Sequence, residues 1–248
     1  MIGASLLAFH GMPAFAQTQE LIQELFQSDT VYPQEEGEIQ LTFRPQYNRG
    51  DESVTRSALV AFEYGVTDSL QIEVEWASFL RVDSDDPEEG SAQGIGDLEI
   101  GARYSWMNIS GSNAHAALGL DFTIPTGAEE KGFGDGEFAV SPIVILAANL
   151  PSLHGTHVVA NFGTDVGEGA FAFDEADWLA NLAFFVPVQP LVLSVELNLS
   201  AHESFFTPGL IWHASDSLEM GLGVPIGLSE EADDYRVALM LTWEFDVH

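Results

Sequence analysis

Glu73 and Glu75 stand two residues apart, a spacing that turns both carboxylates to one side of an extended chain. Such a pair could serve as acid and base. Lining a polar wall, the same pair is more simply two solvated charges. Nucleophilic chemistry finds little support. The His residues are scattered, His115, His157, His202 and His213 are each isolated, and no G-x-S-x-G element occurs. His154 and His157 lie three apart across a turn, too sparse a set for a metal site. The sequence has no Cys, which removes disulfides and thiolate ligands. Carboxylates do cluster, in Asp83, Asp85, Asp86, Glu88 and Glu89, and again in Glu230, Glu231, Asp233 and Asp234. Oxygen clusters can hold calcium or magnesium, but neither spacing matches an EF-hand loop. Solvated acidic loops are the expectation, with no catalytic residue, cofactor or dedicated metal site.

The charge balance narrows the class. Seven Lys plus Arg stand against 39 Asp plus Glu, a net charge of −32. Nucleic acid is excluded as a partner, because phosphate binding needs clustered basic residues. Cations are the natural counter-species. Hydrophobic residues make up 46% of the chain, yet no apolar run approaches the roughly 18 residues of a membrane helix.

The elements that carry these residues alternate with period two. From residue 38 onward, Ile39, Leu41, Phe43 and Tyr47 interleave with Glu38, Gln40, Thr42, Arg44 and Gln46. The pattern returns around Val60 and Phe62, from Leu70 to Trp76, from Leu98 to Trp106 and from Leu118 to Ile124. Residues 138–150 are apolar on both faces, and 158–164 and 178–186 follow. Alternation sharpens again at 191–200, continues at 206–212 and 218–226, and ends in Tyr235, Val237, Leu239, Leu241, Trp243 and Phe245. Twelve antiparallel strands are predicted, an all-β chain.

Alternation fits a soluble sandwich or barrel with its apolar face inward, and equally a transmembrane antiparallel β-barrel with that face outward. Three features favour the membrane. The apolar faces carry no charge at central positions. Tyr64, Trp106, Trp212 and Trp243 collect at one set of strand ends, with Tyr47, Trp178 and Tyr235 at the other, as two interfacial belts would. Short connections alternate with longer ones at 81–94, 126–136, 166–176 and 229–234. The bacterial outer membrane is the expected location, with its lipid and lipopolysaccharide as neighbours. Loosely held divalent ions would bridge the acidic loops to lipopolysaccharide.

Three segments follow. Residues 1–16 read as an export signal, with an apolar stretch from Ala4 to Phe9 and the cleavage pattern Ala14-Phe15-Ala16; no Lys or Arg precedes that stretch. Residues 17–37 form a periplasmic lead-in, in which Leu21, Ile22, Leu25 and Phe26 have the spacing of a short amphipathic helix. A loose segment able to tuck into the barrel mouth fits as well. Residues 38–248 form the barrel.

The stretch Gly94-Ile95-Gly96-Asp97-Leu98-Glu99-Ile100-Gly101-Ala102-Arg103-Tyr104, followed by Phe122-Thr123-Ile124-Pro125-Thr126-Gly127, resembles the outer-membrane transporter family associated with phenol and other aromatic degradation pathways. The resemblance implies a barrel and a role in small-molecule uptake. Parity assigns to the lumen the acids Glu63, Glu73, Glu75, Asp97, Glu99, Asp121, Glu196 and Glu244, with Arg44, Arg103 and Arg236 as the basic residues. Arg103 is expected between Glu75 and Asp121, Arg44 near Arg236, and Arg56, of opposite parity, at the outer rim. The expected function is a passive pore for small solutes, including aromatic or other hydrophobic compounds, with a mainly acidic lumen that favours cations. A structural or adhesive surface barrel with acidic, divalent-cation-binding loops is the alternative.

Overall fold

The computed structural model describes residues 22–86, 90–134, 136–167 and 177–246. The segment read as an export signal lies outside them, as do Glu88, Glu89 and residues 168–176.

Extended segments form where branched and aromatic residues alternate with polar ones. They are β1 (Glu38–Arg49), β2 (Ser53–Thr67), β3 (Leu70–Ser84), β4 (Ser91–Gly94), β5 (Leu98–Trp106), β6 (Ala114–Ile124) and β7 (Ala139–Leu150). The second half adds β8 (Thr156–Gly167), β9 (Asp177–Val188), β10 (Leu191–Ser200), β11 (Ser204–Ser215), β12 (Leu218–Gly223), β13 (Ile226–Gly227) and β14 (Tyr235–Asp246). β4 and β5 are one stave broken at 95–97; β12 and β13 are another, broken at Val224-Pro225, where proline offers no N–H to the ladder. The segments therefore make twelve antiparallel staves. β1 pairs with β14, Leu41 opposite Trp243 and Arg49 opposite Tyr235, so the sheet closes and leaves no edge.

The two faces are inverted relative to a soluble barrel. Leu120, Phe122, Leu193, Leu239 and Trp243 are exposed, whereas Gln40, Thr42, Asn161, Glu196 and Thr242 are buried. An apolar exterior over a polar interior is the arrangement a bilayer selects. Leu120→Arg should accordingly lose about 2–4 kcal/mol at the bilayer midplane. Asp121→Asn, one residue on and facing inward, should fold almost normally. Heat-modifiable gel migration of the refolded variants reads both, and equal losses would contradict the assignment of faces.

One irregularity resets the alternation. Leu59 pairs with Ala77 but Ala58 with Phe79, so Ser78 is an extra residue in β3. Its hydroxyl donates to the Ala58 carbonyl at 2.9 Å. Beyond this bulge the odd-numbered residues of β3 turn from the lumen to the outside.

The buried core lies inside the barrel. Residues 22–37 form no helix; they enter the lumen at the short-turn end, reach its middle near Asp29 and return to β1. Helical spacing of the apolar residues is overridden here because the wall, not a helix, receives them. Ile22, Leu25, Phe26, Val31 and Tyr32 pack on inward Ala117, Ile143, Ile145, Val159, Phe185 and Ile211. This explains why β7 is apolar on both faces: one meets lipid and the other meets the inserted segment.

Candidate functional site

The inserted segment is tied to the wall chiefly through its own backbone. Glu196 accepts the N–H groups of Phe26 at 2.9 Å and Gln27 at 3.0 Å, and Glu219 accepts that of Gln23 at 3.1 Å. Asn161 accepts from the Asp29 N–H and donates to its carbonyl. Arg103 donates to the Thr30 carbonyl at 2.7 Å. Tyr32 donates to Asn149 and shares a hydrogen bond with His157. Phe26 sits in a socket floored by Gly209, Gly221 and Gly223; a Cβ at any of them would press on its ring. Together these contacts make residues 22–36 a plug filling the short-turn half of the lumen.

On the long-loop side of the plug lies a cavity of about 280 Å3. Glu73, Glu75, Glu99, Asp121 and Asp165 line it from the wall, and Glu24 and Asp29 from the plug. Arg44 is the basic residue in this lining, 2.9 Å from Glu75. Arg103 sits at the plug boundary, 3.0 Å from Glu73 and 3.5 Å from Asp29. Glu75 and Glu99 are direct cross-strand partners. Gly101 leaves the space that the Asp121 and Glu73 carboxylates share. The opposite side of the cavity is apolar: Pro142, Ile143 and Leu179. The chamber thus sets a carboxylate-rich wall opposite an apolar strip.

The other end of the chamber is organised by the two stretches that carry the family resemblance. Asp97 accepts the Gly127 N–H at 2.7 Å, and the Thr126 hydroxyl donates to the Gly96 carbonyl at 3.2 Å. Phe133 is buried against Gly94, where a side chain would collide with its ring. The glycines thus make room for the loop after β6, and Asp97 fastens it. The two stretches, joined by bonds between residues 30 apart in the chain, are one latch.

The acids and bases assigned to the lumen by parity divide by task. Glu73, Glu75, Glu99, Asp121 and Arg44 face the chamber. Glu196 is an anchor beneath the plug, and Glu63 is buried in hydrogen bonds from Gln40 and Gln71. Asp97 serves the latch. Glu244 lies toward the short-turn end, opposite Gln40. Arg44 and Arg236 are not brought together. Arg236 stands four residues further out in the ladder, paired with Glu203 at 2.6 Å and Asp233 at 2.8 Å and stacked 4.0 Å from the Phe205 ring. Arg103 pairs with Glu73 and the plug rather than with Glu75 and Asp121, because its cross-strand neighbours are Gln71 and Gly119. Glu24, Asp29 and Asp165 escaped the sequence reading. Asp165 carries a usable signal, since it continues the inward parity of Asn161 and Gly163. Glu24 and Asp29 carry none, lying in a segment without period. The acidic loop is also less open than its composition suggests, since Asp83 and Asp85 are held by arginines.

Fold and interior together define an outer-membrane β-barrel. Residues 39–245 match the family model described as "Putative MetA-pathway of phenol degradation", and the chain belongs to that family. No curated protein matches. Among solved structures, the chain is similar to the COG4313 outer membrane channel from Pseudomonas putida F1, with a TM-score of 0.68 at 17% identity, over 90% of this chain and 100% of that one. It is also similar to the KdgM porin, with a TM-score of 0.53 at 11% identity, over 84% and 99%.

Proposed function

We propose that the protein is a passive channel for small solutes across the outer membrane, with the acidic chamber as the step that sets solute preference. The observation that carries this reading is the chamber's lining: seven carboxylates and one guanidinium around about 280 Å3, with an apolar strip opposite. Fixed negative charge raises the local concentration of cations, and screening confines the effect to about 8–10 Å near physiological salt. That range still spans a lumen this narrow. The apolar strip of Pro142, Ile143 and Leu179 suits a small aromatic or aliphatic body attached to the charge. Membership in the family and the fold shared with channels are consistent with uptake.

Liposome swelling tests this reading with solutes of one size and different charge. Tyramine should enter proteoliposomes faster than 4-hydroxyphenylacetate, and the gap should shrink at high salt. Equal rates, or a faster anion, would remove the chamber from the account of selectivity.

A further inference from the structure

Arg56 on β2 and Arg81 on β3 are direct cross-strand partners, and both face away from the lumen. Their side chains are 49% and 41% exposed. Like charges in opposed positions repel, so this arrangement needs a reason. It is also a constructed one. From Gln71 to Ala77 the odd-numbered residues of β3 point inward, and Arg81 would continue them. The Ser78 bulge turns Arg81 outward, opposite Arg56. Re-aiming a side chain is a common use of a bulge.

One carboxylate, Asp83, serves both guanidinium groups, accepting from Arg81 at 2.7 Å and from Arg56. The three charges sum to +1. Arg56 also lies 5.8 Å over the Tyr47 ring, and Tyr47 is 6.3 Å from Tyr235. These tyrosines mark the water–lipid boundary at the long-loop end, where outer-leaflet headgroups lie. Arg49 follows on the same face, held bidentate by Asp85. Three of the chain's seven basic residues thus gather on the outer ends of β1 to β3, in a protein of net charge −32.

We propose that Arg56 and Arg81 form a docking site for the phosphate group of a phosphorylated glycolipid in the outer leaflet. The guanidinium N–H groups not turned to Asp83 match phosphate oxygens in geometry as well as charge. Asp83 fixes the spacing of the forks and leaves one positive charge to be met from outside. The lipid source follows from position: the pair faces the bilayer at headgroup height and not the lumen.

The test uses the full chain in neutral detergent with a chelator present, so that divalent bridges through the acidic loops are absent. Binding of diphosphoryl lipid A is measured by native mass spectrometry. The double variant Arg56→Ser/Arg81→Ser should bind about tenfold more weakly or worse. Lys131→Ser, a basic residue on another outer loop, should bind as the parent does. Asp83→Asn should bind more tightly, since it removes the competing anion, and this variant decides the question even if the double variant fails the heat-modifiability check for folding. Dephosphorylated glycolipid should bind weakly, and millimolar inorganic phosphate should displace little lipid. Undiminished binding by the folded double variant, weaker binding by Asp83→Asn, equal binding of the dephosphorylated lipid, or full displacement by free phosphate would overturn the proposal.

Discussion

Deleting residues 22–34 should raise single-channel conductance several-fold while leaving a folded barrel. The plug makes no strand pairing with the wall; every stave is hydrogen-bonded to two others, and β1 closes on β14 without it. What holds the plug is side-chain burial and its hydrogen bonds to inward-facing side chains of the wall. Ile22, Leu25, Phe26, Val31 and Tyr32 are all buried, at roughly 1.5–3 kcal/mol for each fully buried side chain. Deletion therefore lowers thermal stability, because Ile143, Ile145 and Phe185 then face water and Glu196 loses its two N–H donors. It does not remove the barrel. A twelve-stave barrel lies between eight-strand barrels, filled by their own side chains, and 16-strand porins with an aqueous lumen. The emptied lumen should thus conduct. Phe26→Ala gives a graded version: loss of the aromatic ring from its glycine socket, worth about 3–5 kcal/mol for a buried Phe, should give frequent large openings rather than a steady one. Planar-bilayer recordings read both variants. Unchanged conductance after deletion would place the solute path somewhere other than past the plug.

The second large effect concerns charge. Replacing Glu99 and Asp121 by lysine should abolish or reverse ion preference. Each swap puts a positive charge on the chamber wall where the parent has a carboxyl group, and both residues face the cavity beside Glu73 and Glu75. Charge rings act at close quarters, so two reversals in a chamber of about 280 Å3 outweigh distant loop acids. The same swaps at Glu230 and Glu231, in the loop before β14, should leave preference nearly unchanged, since those charges are exposed and screened. Equal effects from both pairs would assign selectivity to the outer loops instead.

Much of this fold was legible by counting in twos. The side-chain period of a strand is fixed by backbone geometry, so the outward rows from Leu118 to Phe122 and from Leu191 to Leu199 show directly in the sequence. The count fails where the backbone breaks its own rule. The Ser78 bulge is invisible to parity, and residues 81–94, read as one long loop, are largely a hairpin of β3 and β4. The plug was legible only as a possibility, because many of its partners are remote in the chain, as far as the 196 residues between Gln23 and Glu219. Its trace was there in β7, apolar on both faces with no second layer predicted to cover the inner one. Local sequence also cannot separate a wall charge from an anchor: Glu196 and Glu99 share parity and chemistry, yet one holds the plug and the other faces the chamber. The family motif had a similar limit. Its glycines carry no stated partner in the sequence, and the approach of Phe133 and Gly127 shows them as seats for a loop.

The reversal potential of the unmodified protein in a planar bilayer, under a gradient of potassium chloride, tests the central claim most directly. A channel governed by the acidic chamber should give a potential of the sign set by potassium permeation, shrinking as both solutions are made more concentrated. A potential of the opposite sign, set by chloride, would contradict the electrostatic account, and the absence of any conductance would contradict the reading of the protein as a channel.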